Sequence, residues 1–281
     1  MEDSAIDLSS VDIQPSEYSK PLSNLLSEYI RSSQPSPSAT TVAAQIDELS
    51  KSSENQGEDG GDSLNEFFWS LWDVFIRTAA AIPYQHPGQQ KLVNVLEELA
   101  RLPRRTVKVE YSEQTLWGSF PSLGIAAREE LNMMPPDSLN SGFTKKEFSE
   151  WINFESFIAR VLGARLMNWT YFPIWSLRSS LEEPVSLPEI LNCYITASAQ
   201  WLIHSGEILF SKISDTRTMD HNMARSLRPG SLFKGSPGYS IERWRFWEQQ
   251  FRELSESLDP EAKLEVQKAL QKMAELSETS I

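Results

Sequence analysis

The 281-residue chain carries 39 acidic and 26 basic side chains, a formal net charge of −13. That balance excludes a nucleic-acid face, which needs clustered Lys and Arg to displace counterions. Most of the acidity is local. Up to Asp62 there are twelve acidic and three basic residues, and beyond it twenty-seven and twenty-three.

From residue 1 to 62, Tyr18 and Tyr29 are the only aromatics, and Ser, Pro, Asp and Glu dominate. Such a composition buries too little to offset chain entropy, so an acidic, largely disordered tail is expected there. Two amphipathic stretches interrupt it. Leu22, Leu25, Leu26, Tyr29 and Ile30 share one helical face, as do Val42, Ile46 and Leu49. They are read as weakly helical pieces of the tail, able to dock on the body or to fold on a partner.

A single helical domain is expected over 63–281. Ser63 and Glu66 form a capping-box pattern ahead of Phe67, Phe68, Leu71, Trp72 and Phe75, and Pro83 closes that helix. Asp73 and Arg77, four apart, are spaced for an ion pair. A second helix carries Leu92, Val93, Leu96 and Leu99. Thr106 to Tyr111 alternates weakly, as a strand or an extended loop would. Ser122 to Leu131 is a shorter helix. Thr144 with Glu147, and Ser186 with Glu189, mark two further capping boxes for helices reaching about Leu166 and Phe210.

Ser211 to Tyr239 reads as a long polar connection, and loops of that length are usually functional or mobile. Ile241, Trp244, Trp247, Phe251, Leu254 and Leu258 then form one apolar stripe. Asp259 caps a last helix that opens at Pro260. Its core side is expected to be Leu264, Leu270, Met273 and Leu276, with Lys263, Glu265, Lys268 and Lys272 in water. The fold class is all-α, an orthogonal or irregular bundle of about 7–9 helices behind the tail.

The chemistry-bearing residues are sparse. Glu155 lies inside the apolar stripe of Phe148, Trp151, Ile158, Leu162 and Leu166. Burying an unpaired carboxylate is costly, so Glu155 is expected to be paired with an arginine, hydrogen-bonded, or protonated. It is the one candidate for a catalytic role. Cys193 and His204 are eleven apart on one predicted helix, about 16 Å of rise, too far for a thiol–imidazole dyad. Three scattered histidines and one cysteine give no metal-ligand spacing, and no cofactor motif is present. The loop Lys234-Gly235-Ser236-Pro237-Gly238 feeds a helix start, an arrangement able to hold an anion, although such a loop is more often a turn. Phe246 falls off the Trp244–Phe251 stripe and either packs on a second neighbour or lines a cavity. Lys234, Gly235, Gly238 and Phe246 are therefore the ligand-binding candidates.

The segments Phe68-Trp69-Ser70-Leu71-Trp72, Trp151 to Arg160, and Tyr239 to Trp247 together resemble a family of fungal proteins catalogued as a domain of unknown function, number 3632. The likeness covers about Leu64 to Leu276. It implies a fungal origin and an intracellular helical domain, and it carries over no catalytic residue, cofactor or substrate.

With one cysteine, no signal-peptide pattern over Met1 to Ser10 and no membrane-length apolar run, the chain is expected in the cytoplasm or the nucleus, off the membrane. The leading functional expectation is a non-catalytic module that binds a protein partner, a second copy of itself or an apolar small molecule. The alternative is a cofactor-independent enzyme acting on an apolar metabolite in fungal secondary metabolism.

Overall fold

Apolar residues at helical spacing dominate this sequence, and helices are what they form. The computed structural model describes residues 6, 8, 11–32, 37–54, 61–109, 112–133, 144–215 and 218–278. Among them the fold is all-α, with eleven α-helices and one two-stranded hairpin. The chain divides into two compact units, Met1–Met134 and Pro135–Ile281.

The first unit holds α1 (Ser19–Arg31), α2 (Ala39–Glu54), α3 (Gly61–Ala81), α4 (Gly88–Arg101), β1 (Thr106–Val109), β2 (Ser112–Thr115) and α5 (Leu123–Asn132). Phe67, Phe68, Leu71, Trp72 and Phe75 of α3 are completely buried. The two amphipathic stretches of the acidic segment are α1 and α2. Their apolar faces, Leu22, Leu26 and Ile30 in one and Val42, Ala43 and Ile46 in the other, are buried within this unit. Polar contacts fix the same packing. The Lys91 ammonium donates to the carbonyls of Ile30 (3.0 Å) and Ser32 (2.7 Å), closing the C-terminal end of α1. The Tyr18 and Ser63 hydroxyls hydrogen-bond at 2.9 Å. Because α3 already begins at Gly61, Ser63 lies inside its first turn instead of capping it.

Thr106–Val109 does form a strand, paired antiparallel with Ser112–Thr115; Tyr111 lies outside the described residues. The chain then turns through Trp117, Phe120 and Ser122, all with positive φ (58°, 48° and 64°). That backbone is unfavourable for bulky residues. Burial of both rings beside Phe68 and Trp72 offsets it.

The second unit holds α6 (Lys145–Gly163), α7 (Phe172–Leu177) running into a π-helical turn (Arg178–Glu182), α8 (Pro188–Ser211), α9 (His221–Ser226), α10 (Ile241–Leu254) and α11 (Pro260–Glu278). Helices α6 and α8 lie against each other and α11 packs on α8. At Gly163 the approach is so close that a Cβ would stand 2.1 Å from the His204 carbonyl oxygen.

The capping box at Thr144 forms as read, with Glu147 reaching back to the Thr144 N–H at 2.6 Å. The one at Ser186 does not. Leu187 precedes a proline and is pushed into extended backbone (φ −102°, ψ 123°), so it becomes the cap and Pro188 the first helical residue. Asp259 caps α11 through the Ala262 N–H (2.8 Å). The buried side of α11 is Ala262, Glu265, Val266, Ala269 and Met273, while Leu264 is 51% exposed. The face is rotated from the expected one because Glu265 has partners inside: Gln200 donates to it at 2.8 Å and Lys268 at 2.6 Å.

Candidate functional site: two buried carboxylates

Three acidic side chains of the second unit are almost without solvent contact, Glu155, Glu182 and Glu265, and the first two are held in opposite ways. Glu155 projects from α6 between α7 and α8 and is 1% exposed. The Ser176 hydroxyl of α7 lies 2.8 and 2.9 Å from its two oxygens. The Trp201 indole N–H of α8 donates to Oε2, and also lies 3.2 Å from the Ser176 hydroxyl. Both partners are neutral. Of the three states open to this carboxylate, the structure therefore shows hydrogen bonding without an arginine. Burial lifts its pKa to about 7, against a partial offset from the Ser176 and Trp201 hydrogen bonds. A carboxyl group so placed is poised to exchange a proton near neutrality.

Glu182 ends the π-helical turn and is fully buried, as is Arg243 of α10. The guanidinium meets it as a fork, Nε to Oε1 at 2.6 Å and Nη2 to Oε2 at 3.0 Å. The Trp247 indole donates to Oε1 at 2.6 Å and the Gly230 N–H to Oε2 at 2.7 Å. The remaining Arg243 donors go to the carbonyls of Leu227 and Gly238, both at 2.9 Å, and of Arg228 at 3.2 Å. Every donor of the guanidinium is used, the condition under which a buried ion pair is tolerated.

The pair pins the stretch read as a long polar connection. Part of that stretch is α9, which Asp220 caps through the Met223 N–H at 2.7 Å. The rest hangs on residues 175–182. Trp175 donates to the Ser226 carbonyl (3.1 Å), Arg178 to those of Ser226 and Arg228, and the Leu232 N–H to the Glu182 carbonyl (2.9 Å). Gly230 is required here, since a Cβ would stand 2.5 Å from the Glu182 carbonyl oxygen.

The loop candidates are built into this arrangement. Gly238 donates to Leu227 and accepts from Arg243. Gly235 lies against the Phe233 ring. Phe246 packs on the same ring, centroids 5.2 Å apart, as the second-neighbour reading has it. Lys234 is exposed and donates to the Ser231 carbonyl. The start of α10 is closed by its own chain, Ser240 accepting from the Arg243 N–H at 3.1 Å.

The remaining titratable candidates stand apart. Cys193 and His204 sit on one unbroken helix, α8. Burial pushes the Cys193 thiol far above its ordinary range, with the charge of Glu155 adding to the effect. Burial, with Arg160 and Lys268, lowers His204 to about 3, so it is neutral at physiological pH. His86 accepts from the Gly88 N–H at 2.9 Å in a turn. No group of three metal-ligating side chains occurs among the described residues.

Ser176, Glu182, Gly230 and Arg243 were not among the expected site residues. Arg243 carried a readable signal. It stands four residues before Trp247 and eight before Phe251, a charge on an apolar helical row just as Glu155 is.

A helical protein with a buried carboxyl group on α6 held by α7 and α8, and a second held by α10, is the class this geometry defines. Residues 72–251 match the model of a protein family of unknown function, DUF3632, and the chain belongs to that family. The match opens inside α3 and closes at the last buried aromatic of α10, so it excludes α1, α2 and α11. No curated protein and no solved structure matches the chain.

Proposed function

We propose that this protein is a non-catalytic helical module that binds a partner protein through the surface carried by residues 218–232. The observation that supports this is the exposure of three large apolar side chains on that short segment, Met219 (41%), Met223 (51%) and Leu232 (46%). Methionine adapts its shape to a partner at little cost. The segment is held from behind by hydrogen bonds to Trp175, Arg178 and Glu182. The amphipathic faces of α1 and α2, which the sequence offered as docking elements, are already buried in the first unit.

The partner is a protein or a second copy of this chain; an apolar small molecule would use the same side chains. The acidic balance speaks against nucleic acid, and no helix among the described residues is long and apolar enough to cross a membrane. The lone, buried Cys193 fits a reducing compartment, cytoplasm or nucleus, and the family resemblance a fungal cell.

Affinity capture with the full chain, followed by native mass spectrometry, tests the reading. A retained partner should be lost from a Met219→Ser, Met223→Ser, Leu232→Ser variant whose melting temperature is unchanged. A strictly monomeric chain that retains nothing would overturn it.

One observation favours the second reading, a cofactor-independent enzyme acting on an apolar metabolite. Glu155 carries no ion pair and titrates near neutrality, as a general acid or base does. Against it, both carboxyl oxygens already meet Ser176 and Trp201. Turnover of an apolar substrate that Glu155→Gln abolishes without unfolding the chain would establish this reading in place of the first.

A further inference from the structure

The segment 172–182 carries the two carboxylate systems at its two ends. Ser176, in α7, touches Glu155; Glu182, at the end of the π-helical turn, anchors Arg243, Gly230 and Leu232. Between them Ser180 is tethered to Ser198 of α8 by a hydroxyl pair at 2.7 Å. Whatever loosens α7 therefore acts on the support of residues 226–238 through a continuous run of backbone.

Burial at the Ser176 end favours a proton on Glu155, against the hydrogen bonds that Ser176 and Trp201 donate to it, which favour the anion. A carboxyl group with no cation beside it is tolerated in a dry core when neutral, and the same group as an anion draws water or moves outward. The titratable and charged side chains on the surrounding elements do not change this. On α8, Cys193 lies in the field of Glu155 and is itself held neutral by burial, while His204 answers to Arg160 and Lys268. In the π-helical turn, Glu182 is satisfied by Arg243, and Arg178 donates outward to Ser226 and Arg228. On α11, Glu265 is engaged by Gln200 and Lys268. On α6 itself, Arg160 acts on His204 and Glu265.

We propose that Glu155, Ser176 and Trp201 form a proton-dependent latch. The neutral carboxyl is tolerated with α7 seated on α6 and α8; once it ionises, the cost of a buried charge without a cation outweighs the hydrogen bonds from Ser176 and Trp201 and loosens residues 172–182 together with the 226–238 segment hung from them. A π-helical turn directly after the latch is a suitable hinge, because its wider backbone hydrogen bonding is less regular than that of an α-helix. The latch is independent of whether the 218–232 surface has a partner, since it concerns the mobility of the chain alone.

Hydrogen–deuterium exchange on the full chain at about pH 5.5 and about pH 8, corrected for intrinsic exchange chemistry, tests it. Opening of peptides spanning 172–182 and 227–239 should be roughly tenfold or more faster at the higher pH, with α1–α5 unchanged. Glu155→Gln should remove the pH response. Ser176→Ala, which cuts the link from the α7 side, should raise exchange of 172–182 already at the lower pH. The latch is overturned if the wild-type chain shows no pH response in these peptides, an outcome that does not depend on either variant folding. A response that persists in Glu155→Gln overturns Glu155 as its sensor. A response confined to 172–182 overturns the coupling to the loop.

Discussion

Glu155 and Glu182 lie in the same compact unit, both essentially out of water, and each accepts from an indole N–H. What differs is the third partner. Glu182 has a guanidinium whose donors are all spent, two of them on its own carboxylate oxygens. Glu155 has a serine hydroxyl, and burial acts on it unopposed by any cation. Equal burial thus produces two devices: a permanent staple that ties a loop to a helix, and a carboxyl group whose state follows the surrounding pH.

The largest effect should come from breaking the staple. Arg243→Ala leaves Glu182 buried without its counter-charge, and about 3–5 kcal/mol of stability should be lost in urea unfolding. Arg243→Lys keeps the charge but not the fork and should fall between the two. A loss below about 1 kcal/mol for the alanine variant would mean that the pair is not what holds residues 227–238.

Glu155 supplies the next test. Burial raises its pKa from 4.5 to about 7. Between those values the folded chain keeps the proton and the unfolded chain releases it. The favourable contribution is therefore complete below pH 4.5 and is lost as pH rises through 7. The loss should approach about 3 kcal/mol. Denaturant midpoints measured from pH 4.5 to 8.5 should show the decline, and Glu155→Gln should flatten it. A wild-type profile that rises over that interval would point to a cation beside Glu155.

A smaller effect tests the staple from the loop side. Gly230→Ala places a Cβ 2.5 Å from the Glu182 carbonyl oxygen and 2.6 Å from its Cβ, both parts of a buried, fully bonded turn. The expected cost is about 1–3 kcal/mol, read as a lower melting temperature. A neutral result would show that residues 227–238 can move off the turn without penalty.

Local signals carried much of this fold. Thr144 with Glu147 and Asp259 with Pro260 start helices where their side chains say they should, because caps are satisfied by neighbours in sequence. Glu155 was legible for a related reason: a charge on an apolar row is visible from spacing alone. Its partners were not. Ser176 and Trp201 lie twenty-one and forty-six residues away, and no periodicity links them to Glu155. Helix α7 and its π-helical turn were missed because six residues, all but Ser176 apolar, are too short to show a period. The Ser211–Tyr239 stretch read as a loop because α9 is only six residues long and residues 227–238 are ordered by Glu182 and Arg243, both outside it.

The smallest effect concerns α11, where sequence pattern and structure disagree by one position. Leu264 has the residue type of a core position and is half exposed, whereas the adjacent Glu265 is 3% exposed. Hydrophobicity alone would turn the helix the other way. Gln200, itself bonded to Ser156 of α6, donates to Glu265 from α8, and Lys268 closes the far side. This gives Glu265 what Glu155 lacks, a cation at hydrogen-bond distance, and a buried carboxylate so paired can fix the rotation of a helix. Leu264→Gln should then change stability by no more than about 0.5 kcal/mol, as surface substitutions do. A loss of about 2 kcal/mol or more, the range for emptying a core leucine site, would mean that α11 sits with Leu264 inward and that Glu265 does not set its rotation.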